Sequence, residues 1–163
     1  ILQDTLIGEM LPAYTRRPKR KIINAPKFYF FDVAIPNLLT RRGEIQLGSE
    51  IAGKAFENWL FNELKSYIIY KEKNAELSFW KLADSGREVD FIINDCEVAI
   101  EAKGTARVRP EHLKGLRELK EEQPHVKKRL IVSLEESPRL TDDHISILPY
   151  RDFLESLWQG NIF

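Results

Sequence analysis

The sequence contains little of what several common protein classes require. Its only cysteine is Cys96, so neither an internal disulfide nor a cysteine-rich zinc site can form. No apolar run approaches the roughly 20 residues that a membrane span needs, so we expect no membrane partner. The 25 basic and 25 acidic residues give a net charge of zero, which argues against coating nucleic acid by bulk positive charge. The remaining composition predicts a globular cytoplasmic protein.

Two catalytic signatures are also missing. The three histidines, His112, His125 and His144, form no HxxxH pair and have no cysteine partner, so we expect neither a histidine metal site nor a triad. The chain has no GxxxxGK[ST] motif, so it carries no P-loop of its own.

The spacing of apolar residues predicts an α/β fold. Ser49 is the expected N-cap of a long helix over residues 49–71, and an amphipathic helix starting at Pro110 is expected over residues 110–122. Strands are expected at residues 75–83, 127–134 and 144–148, followed by a closing helix over residues 150–158. With a central hairpin, this order predicts a mixed central sheet flanked by helices.

The long helix has two predicted faces. Its apolar side includes Phe56, Leu60 and Leu64, whereas Asn58 and Asn62 are expected to face solvent. Glu57 breaks this pattern because it lies on the apolar side. Its side chain either extends to the edge of the core, where the carboxylate meets water, or points into a site where a buried carboxylate is functional.

Residues 1–48 are punctuated by prolines. They contain a short amphipathic segment, an expected aromatic strand at residues 27–31 and a helical turn at residues 32–39. Between the prolines lies a basic cluster, which could contact phosphates through a hairpin-like wing or could be a solvated loop. Its members are Arg16, Arg17, Lys19, Arg20 and Lys21.

The hairpin predicted at residues 86–104 carries the chemistry. Alternation along its second strand places Glu101 and Lys103 on one face, and along its first strand it separates Asp90 from Val89, Phe91 and Ile93. A four-residue turn at 94–97 would set Asp90 opposite Glu101, with β-carbons about 5 Å apart. Two carboxylates that close repel each other unless a cation such as Mg²⁺ compensates. The hairpin therefore predicts a metal site, although exposed strands also carry alternating charges.

Three stretches of the chain resemble the PD-(D/E)xK nuclease superfamily, whose core is the restriction-endonuclease-like fold. They are GKAFE at 53–57, VDFII at 89–93 and IEAK at 100–103. With PKFYFFD upstream and ILPYRDFLESL near the end, the chain more narrowly resembles the uncharacterised C-terminal domain that follows the ATPase module in many prokaryotic AAA-type ATPases. Val89 departs from the superfamily pattern, which has proline there.

The resemblance implies catalytic roles for Glu57, Asp90, Glu101 and Lys103. It implies that Mg²⁺ or Mn²⁺ is held by Asp90, Glu101, Glu57 and the backbone carbonyl of Ala102. It also implies a partial winged-helix-like or linker segment at 1–48 and a nuclease-like domain at 49–163. Because the chain begins at Ile1 without methionine, we expect a fragment whose N-terminal ATPase module is absent.

Two functions remain open at this stage. The first is Mg²⁺-dependent hydrolysis of phosphodiester bonds in DNA, with the backbone guided by Arg16, Arg17, Lys19, Arg20, Arg107, Arg109 and Lys114. The second is a catalytically inactive module for nucleic-acid or protein recognition, which the neutral net charge favours. A homo-oligomer formed by pairing of the aromatic strand is a further possibility.

Overall fold

A mixed sheet of six strands forms the centre of the computed structural model, which describes residues 7–41 and 43–163. In chain order the strands and helices are β1 (Gly8–Leu11), β2 (Lys27–Phe30), α1 (Ala34–Leu39), α2 (Glu50–Tyr70), β3 (Leu77–Lys81), β4 (Glu88–Ile93), β5 (Val98–Lys103), a 3-10 turn (Pro110–Leu113), α3 (Lys114–Glu122), β6 (Lys128–Ser133), β7 (Arg139–Leu140), β8 (Ile145–Pro149) and α4 (Tyr150–Trp158). None of the described helices has the length and apolar character needed to cross a membrane.

The strands of the large sheet lie in the order β3-β4-β5-β6-β8-β7. Neighbours are antiparallel from β3 to β5, parallel from β5 through β6 to β8, and antiparallel between β8 and β7. The helix α3 connects the parallel strands β5 and β6, as parallel pairing requires. The α/β class and the mixed sheet flanked by helices are therefore confirmed.

Two apolar cores cover the two faces of the sheet. On one face, Leu60 and Leu64 of α2 and Phe153 of α4 pack against Ile100 of the sheet. On the other face, Leu116 of α3 belongs to a separate cluster of buried residues. The central strands are almost fully buried because helices cover both of their faces.

The long helix α2 forms as the sequence predicts. The Ser49 hydroxyl accepts a hydrogen bond of 3.1 Å from the backbone N–H of Ala52, which caps the first turn. The expectation that Asn58 faces solvent is wrong. Asn58 is only 8% exposed because its side chain accepts from the N–H of Phe30 and donates to the carbonyl of Phe30. This pair of bonds fastens β2 to the helix.

The N-terminal part lies against the sheet. The strands β1 and β2 form an antiparallel pair, in which Leu11 lies opposite Lys27. Tyr14 donates a backbone hydrogen bond to Phe79 of β3, and Ile22 bridges to Leu82, so the segment between β1 and β2 follows the outer edge of β3. The β1 and β7 strands were not expected from the sequence, because both are short and lack alternation.

A bulge in β4 changes the face of the sheet on which some of its side chains lie. Two steps along β3, from Ser78 to Trp80, correspond to three steps along β4, from Ile92 to Val89. The extra residue breaks strict alternation, as β-bulges do. Val89 consequently packs in the α3-side core, whereas Phe91 lies in the α2-side core. The prediction that Val89, Phe91 and Ile93 share a face is therefore wrong at Val89.

The contact between α3 and β4 depends on one glycine. A β-carbon on Gly115 would lie 2.1 Å from the carbonyl oxygen of Glu88, which is closer than real atoms approach. The absence of a side chain at Gly115 thus lets α3 press directly on the first residue of β4. This close packing fixes the strand that carries Glu88 and Asp90.

Candidate metal centre

Three acids from two different elements converge at the start of β4. Glu57 lies on α2, and Glu88 and Asp90 lie two residues apart on β4. One carboxylate oxygen from each lies within 4.8 Å of the others. We call these residues the acid trio. Hard oxygen ligands at this spacing suit a divalent cation such as Mg²⁺ or Ca²⁺.

The ammonium of Lys27 lies among the three acids. Its Nζ is 2.8 Å from Oε1 of Glu57 and 3.3 Å from Oδ1 of Asp90, and it also contacts Glu88. Burial disfavours the charged ammonium, but the charges of Asp90 and Glu57 outweigh that effect and raise the pKa of Lys27. Lys27 therefore stays positively charged and neutralises part of the trio.

Tyr29 completes this side of the cluster. It lies two residues after Lys27 on β2, so both side chains point toward α2. Its hydroxyl donates a hydrogen bond of 2.5 Å to Oε1 of Glu57. Burial raises the pKa of the Tyr29 hydroxyl, so this group acts as a donor rather than a base. The hydrogen bond holds the Glu57 oxygen that also contacts Lys27.

Asp90 connects the trio to the neighbouring strand. The ladder between β4 and β5 begins at the turn, where Ile93 lies opposite Val98, and its last pair is Phe91 with Ile100. Beyond that pair, Oδ2 of Asp90 accepts a hydrogen bond of 2.9 Å from the backbone N–H of Ala102. Burial and the charge of Glu57 raise the pKa of Asp90 to about 6. A cation beside Asp90 would relieve this repulsion.

Glu101 and Lys103 form an ion pair next to this hydrogen bond. Nζ of Lys103 lies 2.6 Å from Oε1 of Glu101, whereas the buried Oε2 of Glu101 has no hydrogen-bond partner among the described residues. Burial and the charge of Asp90 raise the pKa of Glu101 to about 8. A buried oxygen without a partner is costly, and a bound cation would satisfy it.

The site residues predicted from the sequence lie close together. Asp90 contacts Lys27 beside Glu57 and contacts β5 beside Glu101 and Lys103. The backbone N–H of Ala102 donates to Asp90, and the role of its carbonyl as a ligand stays a prediction. Sequence reasoning missed Glu88, Lys27 and Tyr29. Only Glu88 had a signal, because it precedes Asp90 by two residues on the same strand.

The basic cluster at residues 16–21, which we call the basic loop, lies away from the acid trio. Arg16 pairs with Glu76 at 2.6 Å, Arg17 with Asp95 at 3.4 Å, and Arg20 with Glu118 at 2.7 Å. Lys19 donates to the backbone carbonyl of Glu121. The acids therefore balance much of the charge of this loop. Its contact with nucleic acid stays a prediction.

The second group of basic residues follows the strand that carries Glu101 and Lys103. Arg107, Arg109 and Lys114 are exposed on this segment. Within it, burial and the charge of Lys103 lower the pKa of His112. Contact of the three basic residues with a phosphate stays a prediction.

A cavity of about 510 Å³ opens beside the acid trio, between β2, α1 and the start of α2. We call it the β2–α2 cavity. Lys27, Glu57 and Glu88 line its charged end, and Phe28 and Ile51 are among its apolar lining. It gives a small molecule, or a side chain that leaves the trio, access to the acids.

These features define the class of protein as a mixed α/β domain with a partly buried cluster of acids that could hold a cation. Residues 52–153 match the family described as Domain of unknown function (DUF4143), and the chain belongs to that family. This family typically forms the C-terminal domain of AAA-ATPase proteins. No curated protein and no solved structure matches the chain.

Proposed function

We propose that this domain is a divalent-metal-dependent phosphodiesterase that acts on DNA, built on a restriction-endonuclease-like core. The observation that carries the proposal is the convergence of the acid trio beside the Glu101–Lys103 pair, in which one buried Glu101 oxygen has no hydrogen-bond partner within residues 7–41 and 43–163. Buried acids are retained mainly where they are paired or bind a cation. The resemblance to PD-(D/E)xK nucleases supports the same reading.

The residues fit Mg²⁺ or Mn²⁺ chemically. Glu57, Glu88 and Asp90, each with a carboxylate oxygen within 4.8 Å of the others, would hold the ion, and the family resemblance adds Glu101 as a further ligand. Such an ion supplies an acidified water and polarises a phosphoryl oxygen. Burial disfavours the charged form of Lys103, but the charges of Glu101 and Asp90 outweigh burial and raise its pKa. Lys103 therefore stays protonated. Its ammonium can therefore stabilise the negative charge that develops on the phosphate.

The test is metal-dependent cleavage of DNA by the wild-type chain and by Asp90→Asn. We expect the substitution to lower the rate by at least about a hundredfold, because it removes the carboxylate that links the trio to β5. Asp142→Asn is the matched control, since Asp142 is an exposed aspartate outside the site. Absence of cleavage in the wild type, or equal cleavage by Asp90→Asn, would overturn the proposal.

The second candidate is a catalytically inactive module for nucleic-acid or protein recognition. Lys27 favours it, because its ammonium already pairs with all three acids of the trio and supplies a positive charge without a metal. This reading expects salt-dependent DNA binding that Lys103→Ala leaves unchanged, with no cleavage by any variant. DNA binding at several salt concentrations, measured beside the cleavage assay, separates the two candidates.

The wider context is also proposed. The family match supports a position after the ATPase module of an AAA-type protein, in which case residues 1–48 would be the remnant of a winged-helix-like segment. The ATPase would then be the partner that delivers or withholds DNA. A test is whether the separately produced ATPase module changes the cleavage rate of this chain, which an independent nuclease would not show.

A further inference from the structure

Lys27 is held in place by the fold. Its strand pairs with β1 and is fastened to α2 by the two hydrogen bonds between Asn58 and Phe30. Its ammonium meets one carboxylate from α2 and two from β4. The side chain thus places a cation in contact with all three acids.

A divalent ion and this ammonium would need the same oxygens. Oε1 of Glu57 and Oδ1 of Asp90 are the atoms that contact Lys27, and they are among the oxygens available to a metal. Mg²⁺ binds its oxygens at about 2.0–2.1 Å, so it must take up the centre of such a group. An ammonium and a Mg²⁺ ion cannot both occupy that centre, because their positive charges repel at short distance.

The β2–α2 cavity provides a place for the ammonium to move. It is lined by Lys27 itself and by two of its acid partners, so the side chain can leave the trio without displacement of β2. Lysine has a flexible four-carbon stem, which makes such a move a change of rotamer rather than of fold. At the charged end of the cavity the ammonium would remain near any phosphate bound there.

We propose that Lys27 is a tethered cation that occupies the acid trio and must be displaced before a divalent metal binds. This inference rests on the proposed metal site and adds its regulation: the resting domain neutralises its own acids and binds metal weakly. The apparent metal affinity equals the affinity of the vacant trio multiplied by the fraction of time that Lys27 leaves the trio vacant. The ammonium and the metal therefore exchange at one site.

The test is Mn²⁺ binding to the wild-type chain, Lys27→Met and Lys27→Arg, measured by electron paramagnetic resonance. If Lys27 fills the trio nine-tenths of the time or more, Lys27→Met should bind Mn²⁺ at least about tenfold more tightly. Lys27→Arg should stay as weak as the wild type. Lys81→Met is the matched control, because Lys81 contacts only Glu88 of the trio, at 2.6 Å, and its loss should change the affinity far less.

A second measurement needs no variant. Mn²⁺ should increase the acetylation of Lys27 by a reagent for exposed amines, mapped by mass spectrometry, with Lys54 as the exposed internal reference. Equal Mn²⁺ affinity of the wild type and Lys27→Met, unchanged labelling at saturating Mn²⁺, or no binding by either chain would overturn the inference. Tight binding by Lys27→Met without DNA cleavage would support it and defeat the proposed nuclease function instead.

Discussion

Asp143 and Glu101 both pair with a basic side chain, but their surroundings differ. The Asp143 carboxylate receives two bonds from the Arg117 guanidinium, at 3.0 and 3.1 Å, and one from the Thr141 hydroxyl. Glu101 is far more buried, with 8% of its side chain exposed against 37% for Asp143, and one of its oxygens has no hydrogen-bond partner in the part of the chain that the structure describes. The pKa of Asp143 is lowered, chiefly by the bond from Arg117, whereas the pKa of Glu101 is raised.

The contrast distinguishes Asp143, an acid that stabilises the fold, from Glu101 and Asp90, whose burial in the ionised form destabilises it. Asp143 has donors for both of its oxygens and favours folding in its ionised form. Glu101 and Asp90 are buried next to each other at a cost that the surrounding lysines offset only in part. Such a cost at a cluster of acids is typical of functional sites, where stability is given up for chemistry.

The largest effect on stability should come from Gly115→Ala, which breaks the support of the acid trio. The added methyl group meets the carbonyl of Glu88, so α3 or β4 must shift. We expect the free energy of unfolding to fall by about 2–3 kcal/mol, measured by urea denaturation. Mn²⁺ binding should weaken too, because Glu88 and Asp90 move with β4.

Gly53→Ala is the control for that variant. Gly53 lies inside α2, and no atom of the described residues, apart from the helix's own adjoining backbone, would lie within 4 Å of an added β-carbon. The change should raise stability by roughly 0.5–1 kcal/mol, because alanine favours helices. Equal effects of the two substitutions would contradict the close approach of α3 to β4.

A smaller effect, of opposite sign, is expected from Glu101→Gln. The raised pKa means that the folded state favours the protonated Glu101 carboxyl. The resulting contribution to folding stability is fully present below the ordinary pKa of 4.5 and is lost as the pH rises to about 8. Glutamine cannot ionise, so it removes the cost of burying a charged carboxylate. The variant should therefore be more stable than the wild type by about 1–2 kcal/mol at alkaline pH. The gain should shrink toward acid pH in urea unfolding at several pH values, and a loss of stability at alkaline pH would contradict it.

The smallest effect is expected from Asp143→Asn. Because the pKa of Asp143 is lowered, its ionised carboxylate stabilises the fold above the ordinary aspartate pKa of 3.8, and this stabilisation is lost as the pH falls. Solvent screens this half-exposed pair, so the neutral-pH loss should be only about 0.5–1 kcal/mol. The same urea series should show the difference disappearing in acid, and a gain in stability at neutral pH would remove the contrast with Glu101.

Much of the framework followed from local patterns in the sequence. The Ser49 cap, the span of α2, the four-residue turn of the hairpin and the apolar strand β6 were all predicted, because each depends on neighbouring residues. The closing helix α4 occupies the predicted span, Tyr150–Trp158. The family resemblance indicated Glu57 and Asp90, which both contact Lys27, whereas a metal shared with Glu101 stays a prediction.

What the sequence did not reveal depends on long-range packing. The bulge in β4 arises from the register between two strands, so alternation alone misplaced Val89. Lys27 reaches an acid that lies 63 residues away, and no local pattern specifies that contact. Asn58 looked like a solvent-facing polar residue because its bonds to Phe30 form only when β2 packs on α2.

The most direct measurement is Mn²⁺ binding to the wild-type chain, to Asp90→Asn and to Asp143→Asn, titrated to high Mn²⁺ concentration. The two variants carry the same chemical change at the two contrasted acid clusters. We expect Asp90→Asn to abolish Mn²⁺ binding and Asp143→Asn to retain the wild-type affinity. Equal binding by both variants would contradict the claim that the acids around Asp90 form a metal centre.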